Sequence, residues 1–231
     1  MKDRIRNVSA LLACAAAVFF ATGLSAEQKT ILDYYRLLDQ SKLSGGKFTF
    51  YRDKGAWRVK SPITEAELKP VVDIPGGYLS VSDPGTGGGT YTREIALFIT
   101  RSGAAYLGVN ETNFNGVGFE RAIRFYRYAG GRVVPDNAVF PAVGPRLFFR
   151  KGYNVSPVLE KIQVEYELPR KGTTVVASID TTMLQRAAGS GEYPPAEAKQ
   201  SQEALNNIIY GKIELNWDMD KGRFVIGRKI D

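Results

Sequence analysis

From residue 47 onward the chain repeats one pattern: a short run rich in β-branched and aromatic residues, a tight turn carrying glycine, and a second such run. Lys47–Arg52 and Ala56–Lys60 flank Asp53-Lys54-Gly55, and Glu94–Thr100 and Ala105–Val109 flank Arg101-Ser102-Gly103. Arg121–Tyr128 returns at Arg132–Val134 after Gly130-Gly131, and Glu214–Trp217 meets Arg223–Ile226 across Met219–Gly222. Residues of this kind fit a pleated, half-buried surface, and glycine supplies the positive φ that hairpin turns demand. The pattern predicts a mainly β fold, antiparallel hairpins forming a sandwich or an irregular meander, preceded by a short N-terminal helix.

That helix is predicted over Thr30–Gln40. Ile31, Tyr34, Tyr35 and Leu38 recur at helical spacing, Thr30 and Asp33 form a capping pair, and Gly45-Gly46 closes the segment. Three stretches read as something other than sheet. Thr64–Lys69, closed by Pro70, predicts one or two helical turns; Ser82–Thr90 predicts a flexible loop; Ala187–Ala196 predicts a polar linker into a short helix at Ser201–Asn207. Asp-Lys-Gly occurs at 53–55 and again at 220–222, and a hairpin turn accounts for each without an internal repeat.

The start of the chain has a different logic. Lys2, Arg4 and Arg6 precede a nearly uncharged run from Val8 to Leu24, and the small pair Ser25-Ala26 stands before Glu27. This is the layout of a secretory signal peptide, so residues 1–26 are expected to be cleaved, leaving 27–231 as a single β-rich domain, periplasmic or secreted. Leu11–Cys14 has the shape of a lipoprotein box, which would acylate Cys14. The short spacing from Arg6 and the apolar run continuing past Cys14 weigh against it. Retention as an uncleaved anchor would need the run to span a bilayer, and about 17 residues is the lower edge of that length.

Removing residues 1–26 takes the sole cysteine with them and leaves 28 Lys and Arg against 23 Asp and Glu, with no histidine anywhere. Without disulfides, stability must come from a packed core and a complete hydrogen-bond ladder. The same absence removes the Ser-His-Asp triad, the Cys-His pair and ordinary zinc or iron sites, and no metal or cofactor is expected. Ser44-Gly45-Gly46-Lys47 has the S-x-x-K spelling, but a strand-like run follows where a helix is needed and the partner motifs are missing. Gly85–Thr90 leads into a strand, not the helix of a phosphate loop, and Asp218-Met219-Asp220 lacks the glycine and glutamate of a calcium loop.

One surface remains. Phe119–Tyr128 interleaves arginine with aromatic residues, and Arg146–Lys151 repeats the flavour. On a strand, Arg124, Tyr126 and Tyr128 share a face, with Ile123 and Phe125 on the other. Together with Arg127 and Arg132 they are the candidate ligand site, since arginine pairs with phosphate or carboxylate and aromatic faces stack on sugar rings. The plain alternative is a half-buried strand whose arginine stems cover apolar neighbours. Trp57 and Trp217 are expected in the core. Anionic polysaccharide or lipid headgroups are the expected partners; nucleic acid is not, because the chain is read as exported and has no basic run of five residues.

Ile31–Leu38, Asp73–Leu79, Ala96–Phe98, Tyr166–Thr174, and Leu215–Trp217 with Gly222–Phe224 resemble a group of exported bacterial proteins that carry no assigned activity. The resemblance implies an exported, sheet-rich domain and transfers no functional residue. The function expected from the sequence is non-enzymatic binding of an anionic or saccharide-like partner in the envelope or outside the cell. A carboxylate-dependent hydrolase of wall polymer and a structural or assembly partner are the alternatives.

Overall fold

The computed structural model describes residues 29–85, 87–154 and 162–231, so the predicted leader with Cys14 lies outside the described residues. The first element is α1, Ile31–Leu37, and its start follows from a reciprocal cap. The Thr30 hydroxyl accepts the Asp33 N–H at 3.4 Å while the Asp33 carboxylate accepts the Thr30 N–H at 2.9 Å. Ile31, Tyr34, Tyr35 and Leu38 are all buried, as the helical spacing requires. The helix stops at Leu37, earlier than expected, because Leu38 turns extended and a 3-10 turn over Gln40–Lys42 precedes the two glycines.

Three antiparallel sheets follow. β1 (Thr49–Asp53), β2 (Ala56–Lys60) and β3 (Glu67–Leu68) form the first. The central sheet is a six-stranded meander in chain order: β4 (Val71–Asp73), β5 (Tyr78–Asp83), β6 (Thr90–Ile99), β7 (Ala105–Phe114), β8 (Phe119–Ala129) and β9 (Arg132–Pro135). The third holds β10 (Gln163–Glu167), β11 (Thr174–Asp180), β12 (Lys212–Asp218) and β13 (Arg223–Ile230). Two helices, α2 (Thr182–Gly189) and α3 (Pro195–Asn207), are inserted between β11 and β12.

Strand alternation makes the central sheet a divider. On one face Ile95, Leu107, Val109 and Tyr126 bury against Ile31, Tyr34 and Tyr35 of α1 and Val59 of β2. On the other, Phe98 and Phe125 bury against Leu168, Val175, Leu215, Trp217 and Phe224 from the third sheet and its approach. The mainly β, antiparallel expectation with a short N-terminal helix therefore holds, as a sheet sandwich with a second core on its far side. No helix among the described residues is long and apolar enough to cross a membrane.

The local departures have identifiable causes. Thr64–Lys69 is not helical: Glu67 and Leu68 pair with Lys60 and Val59, and Glu65 takes a φ of 59°. A buried carboxylate, Asp83, organises this corner by accepting from the hydroxyls of Ser61 and Thr64 and from the Gly85 N–H. Ser82, Asp83 and Thr90 are strand residues, so the glycine-rich loop shortens to the connection between β5 and β6. The 187–196 linker shortens as well. The α2 helix runs through Gly189, and α3 begins at Pro195, where a first-turn proline has no N–H to waste.

Candidate functional site

The predicted arginine–aromatic strand is β8, and its residues do not converge. Arg124, Tyr126 and Tyr128 do share a face, but that face is covered by α1: Tyr126 is 6% exposed, and Tyr128 meets Tyr34 edge-on at 5.2 Å. Arg124 donates to Glu111 at 2.6 Å. Arg127 lies on the opposite face with Phe125 and pairs with Asp136 at 3.5 Å. Arg132 sits opposite Ala129 on β9, is exposed, and forms no ion pair with a described residue. Four of the five side chains are thus committed within the fold.

What Arg124 joins is a buried polar network. Arg93 on β6 and Glu111 on β7 are directly opposite in register, and their side chains are 1% and 2% exposed with N–O at 2.9 Å. The Arg93 guanidinium also donates to the carbonyls of Ser44 and Gly46, and the one proton of the Tyr91 hydroxyl is shared between the Ser44 carbonyl at 2.7 Å and Glu111 at 2.5 Å. Gly45 permits this loop: it has a φ of 68°, and a Cβ there would stand 2.9 Å from the Tyr91 ring. So the Ser44-x-x-Lys47 spelling serves through a main-chain carbonyl, in a loop leading into β1. A cavity of about 180 Å³ beside the network is lined by Ser44, Glu111, Asn113, Glu120, Arg121, Ala122 and Arg124. Its Glu111 is already held by Tyr91, Arg93 and Arg124, so it has no free carboxylate pair for acid–base work.

Burial is the first cause that lifts the phenols of Tyr35, Tyr78, Tyr91, Tyr126 and Tyr166 above their ordinary value. A phenol whose folded pKa is raised contributes stability that is complete below the unfolded value of about 10 and is lost as pH rises above it. With no histidine to titrate between about pH 5 and 8, thermal stability should be level across neutral pH. It should then fall steeply above about pH 10, together with the tyrosinate absorbance change. An alkaline midpoint near pH 8 would contradict this.

A second cationic–aromatic cluster is built by the segment that follows Pro145. Pro145–Phe148 is a 3-10 turn with proline at its start, after which Phe149 bridges to Ile208 and the Arg150 N–H donates to the Asn207 carbonyl at 2.9 Å. The chain then reverses: the Tyr153 N–H reaches the Arg150 carbonyl at 3.1 Å, and Gly152 at the third position has a φ of 86°, the positive angle a type II turn requires there. Lys151 is carried to the turn tip. These pieces and Lys229 of β13 enclose a cavity of about 620 Å³, lined by four cations, Arg146, Arg150, Lys151 and Lys229, with Phe149 and Tyr153.

The electrostatics of this cavity differ from those of β8. Among the described residues its lining contains no Asp or Glu, and none of the four cations forms an ion pair with a described residue. Lys229 rests over the Tyr210 ring at 5.0 Å. Phe149, 5% exposed, stacks on the half-buried Tyr153 with ring centres 5.7 Å apart and planes at 15°. Burial first, and then the Glu203 carboxylate, hold the Tyr153 phenol above its ordinary value, leaving it a neutral donor. Arg146–Lys151 carries a visible signal in the sequence; Tyr153 and above all Lys229 do not, because only the pairing of β13 with β12 and of 148–150 with 207–210 brings them alongside.

The other motifs resolve into turns. The Asp218 carboxylate accepts the N–H groups of Asp220 and Lys221 in the β12–β13 hairpin, and among the described residues no three His, Cys, Asp or Glu side chains cluster to hold a metal. Trp217 is core, its indole donating to the Ile99 carbonyl at 3.1 Å, whereas Trp57 is half-buried under Arg52, 4.6 Å from its ring centre. Comparison with known proteins returns no matching family model, no matching curated protein and no matching solved structure.

Proposed function

We propose that this protein is a non-enzymatic binder of an anionic partner, acting in the envelope or outside the cell after export, and that it holds the partner at the Arg146–Lys229 cavity. One observation carries the reading: four cations surround a cavity of about 620 Å³ whose described lining residues include no carboxylate. Several arginines elsewhere on this surface are neutralised locally, as at Arg101–Asp220, Arg121–Asp180 and Arg228–Glu214. A group of uncompensated positive charges in a concavity raises the local concentration of anions, and its volume falls within the roughly 300–1,000 Å³ of small-molecule sites.

The test is a triple variant, Arg146→Gln, Arg150→Gln and Lys151→Gln, titrated with dextran sulfate. All three side chains are exposed, so each change should alter stability by no more than about 0.5 kcal/mol. Affinity should drop at least about tenfold at low salt, while Arg132→Gln, outside the cavity, should change it less than about twofold. Binding to the unaltered protein should weaken as salt rises from about 0.1 M to 1 M and the Debye length shrinks from about 10 to 3 Å. A folded triple variant that binds as tightly as the parent chain removes the cavity from consideration.

A further inference from the structure

We infer that the ligand of the Arg146–Lys229 cavity is a phosphorylated sugar, its phosphate held by the cations and its ring by Tyr153; this rests on the anion-binding reading above and narrows it. The charge argument comes first. Four cations with no acid among the described lining residues leave a single carboxylate outnumbered, whereas a phosphate monoester brings about −1.5 to −2 and three strong acceptor oxygens. Arg146 and Arg150 present planar forks suited to paired phosphate oxygens, and Lys151 and Lys229 add point charges from a turn tip and a strand. Four donors from a 3-10 turn, the 150–153 turn and a strand suit an anion whose acceptors point in several directions better than a flat carboxylate.

The second argument is the size and make-up of the remaining wall. A lone oxyanion would leave most of the 620 Å³ cavity to water, so the anion must come attached to a body. Tyr153 has one ring face on Phe149, is half-buried, and lines the cavity. An aromatic face stacks on the apolar face of a sugar ring, and the neutral Tyr153 hydroxyl supplies a donor that sugar hydroxyls match. A long acyl chain has no comparable place, since Leu147 is the only aliphatic side chain in the described lining. The phosphorylated sugar could arrive free in solution or as the headgroup of a lipid, and the two sources share this chemistry.

The experiment is calorimetric titration of the protein with glucose 6-phosphate, inorganic phosphate and glucuronate, alongside flotation with vesicles containing phosphatidylinositol 4-phosphate, whose ring carries a phosphate monoester. Glucose 6-phosphate should bind at least about tenfold tighter than either of the other two, a gap of 1.4 kcal/mol or more. Tyr153→Leu should bring it down to the level of inorganic phosphate and leave inorganic phosphate unchanged; Tyr153→Phe should retain most of the ring contribution, so a misfolded leucine variant does not decide the matter. Binding to the vesicles, lost in the triple glutamine variant, would support the same chemistry presented by a lipid. Equal binding of glucuronate, equal binding of inorganic phosphate, or dextran sulfate binding with no response to any sugar phosphate overturns the inference and leaves the anion-binding reading standing. Failure of dextran sulfate as well removes both.

Discussion

Replacing Glu111 by leucine should destabilise the protein by about 3–5 kcal/mol, the cost of leaving a buried charge without its partner. Arg93 is 1% exposed and keeps its charge at every accessible pH, so the fold cannot escape by deprotonating it. In the variant the guanidinium would keep the carbonyls of Ser44 and Gly46 but no carboxylate, and Arg124 would lose its acceptor as well. A domain of this size has a total margin of about 5–15 kcal/mol, so a large part of it should vanish in urea unfolding. The double variant Arg93→Met with Glu111→Leu should recover part of the loss, because an apolar pair removes both desolvated charges together. It should not recover all of it, since the two loop carbonyls then lose donors. A Glu111→Leu cost below about 1 kcal/mol would mean that the loop carbonyls alone satisfy Arg93.

This network also shows where sequence reading reaches its limit. Arg93 stands just before, and Glu111 two residues beyond, the runs Glu94–Thr100 and Ala105–Val109 that read as strands, and only the β6–β7 register puts them face to face and only the Gly45 turn lays carbonyls against them. Local pattern sufficed for the four hairpins and the capped helix, whose signals are contiguous. It failed for Thr64–Lys69, where pairing with β2 overrides a helical composition, and for β4, β5, β10 and β11, where short runs lie between prolines and glycines. The candidate surface suffered in the same way. Arginines of β8 looked available because their acceptors, Glu111 and Asp136, come from neighbouring strand and loop, while Lys229 gave no hint because its site joins β13 to the distant segment 146–154.

Phe98→Ala should be the most damaging substitution on the other face of the central sheet, at about 3–5 kcal/mol. Phe98 is 1% exposed, and its ring lies 4.9 Å from Phe224, 5.6 Å from Trp217 and 6.2 Å from Phe125. It therefore joins β6 to β12 and β13, and truncation removes both the buried area and about 0.5–1.5 kcal/mol for each aromatic pairing. Phe98→Leu keeps more of the volume and should cost clearly less, while Val225→Ala on the exposed face of β13 should stay within about 0.5 kcal/mol. A cost for Phe98→Ala near that of Val225→Ala would deny that the two sheets pack through this ring. The comparison with Glu111→Leu carries a further consequence, because Glu111 and Phe98 lie on opposite faces of one sheet. Strands β6 and β7 belong to both cores, so loosening either should lower a single cooperative transition with an unchanged denaturant slope. Two separated transitions in either variant would mean that the helix-covered face and the sandwich face unfold independently.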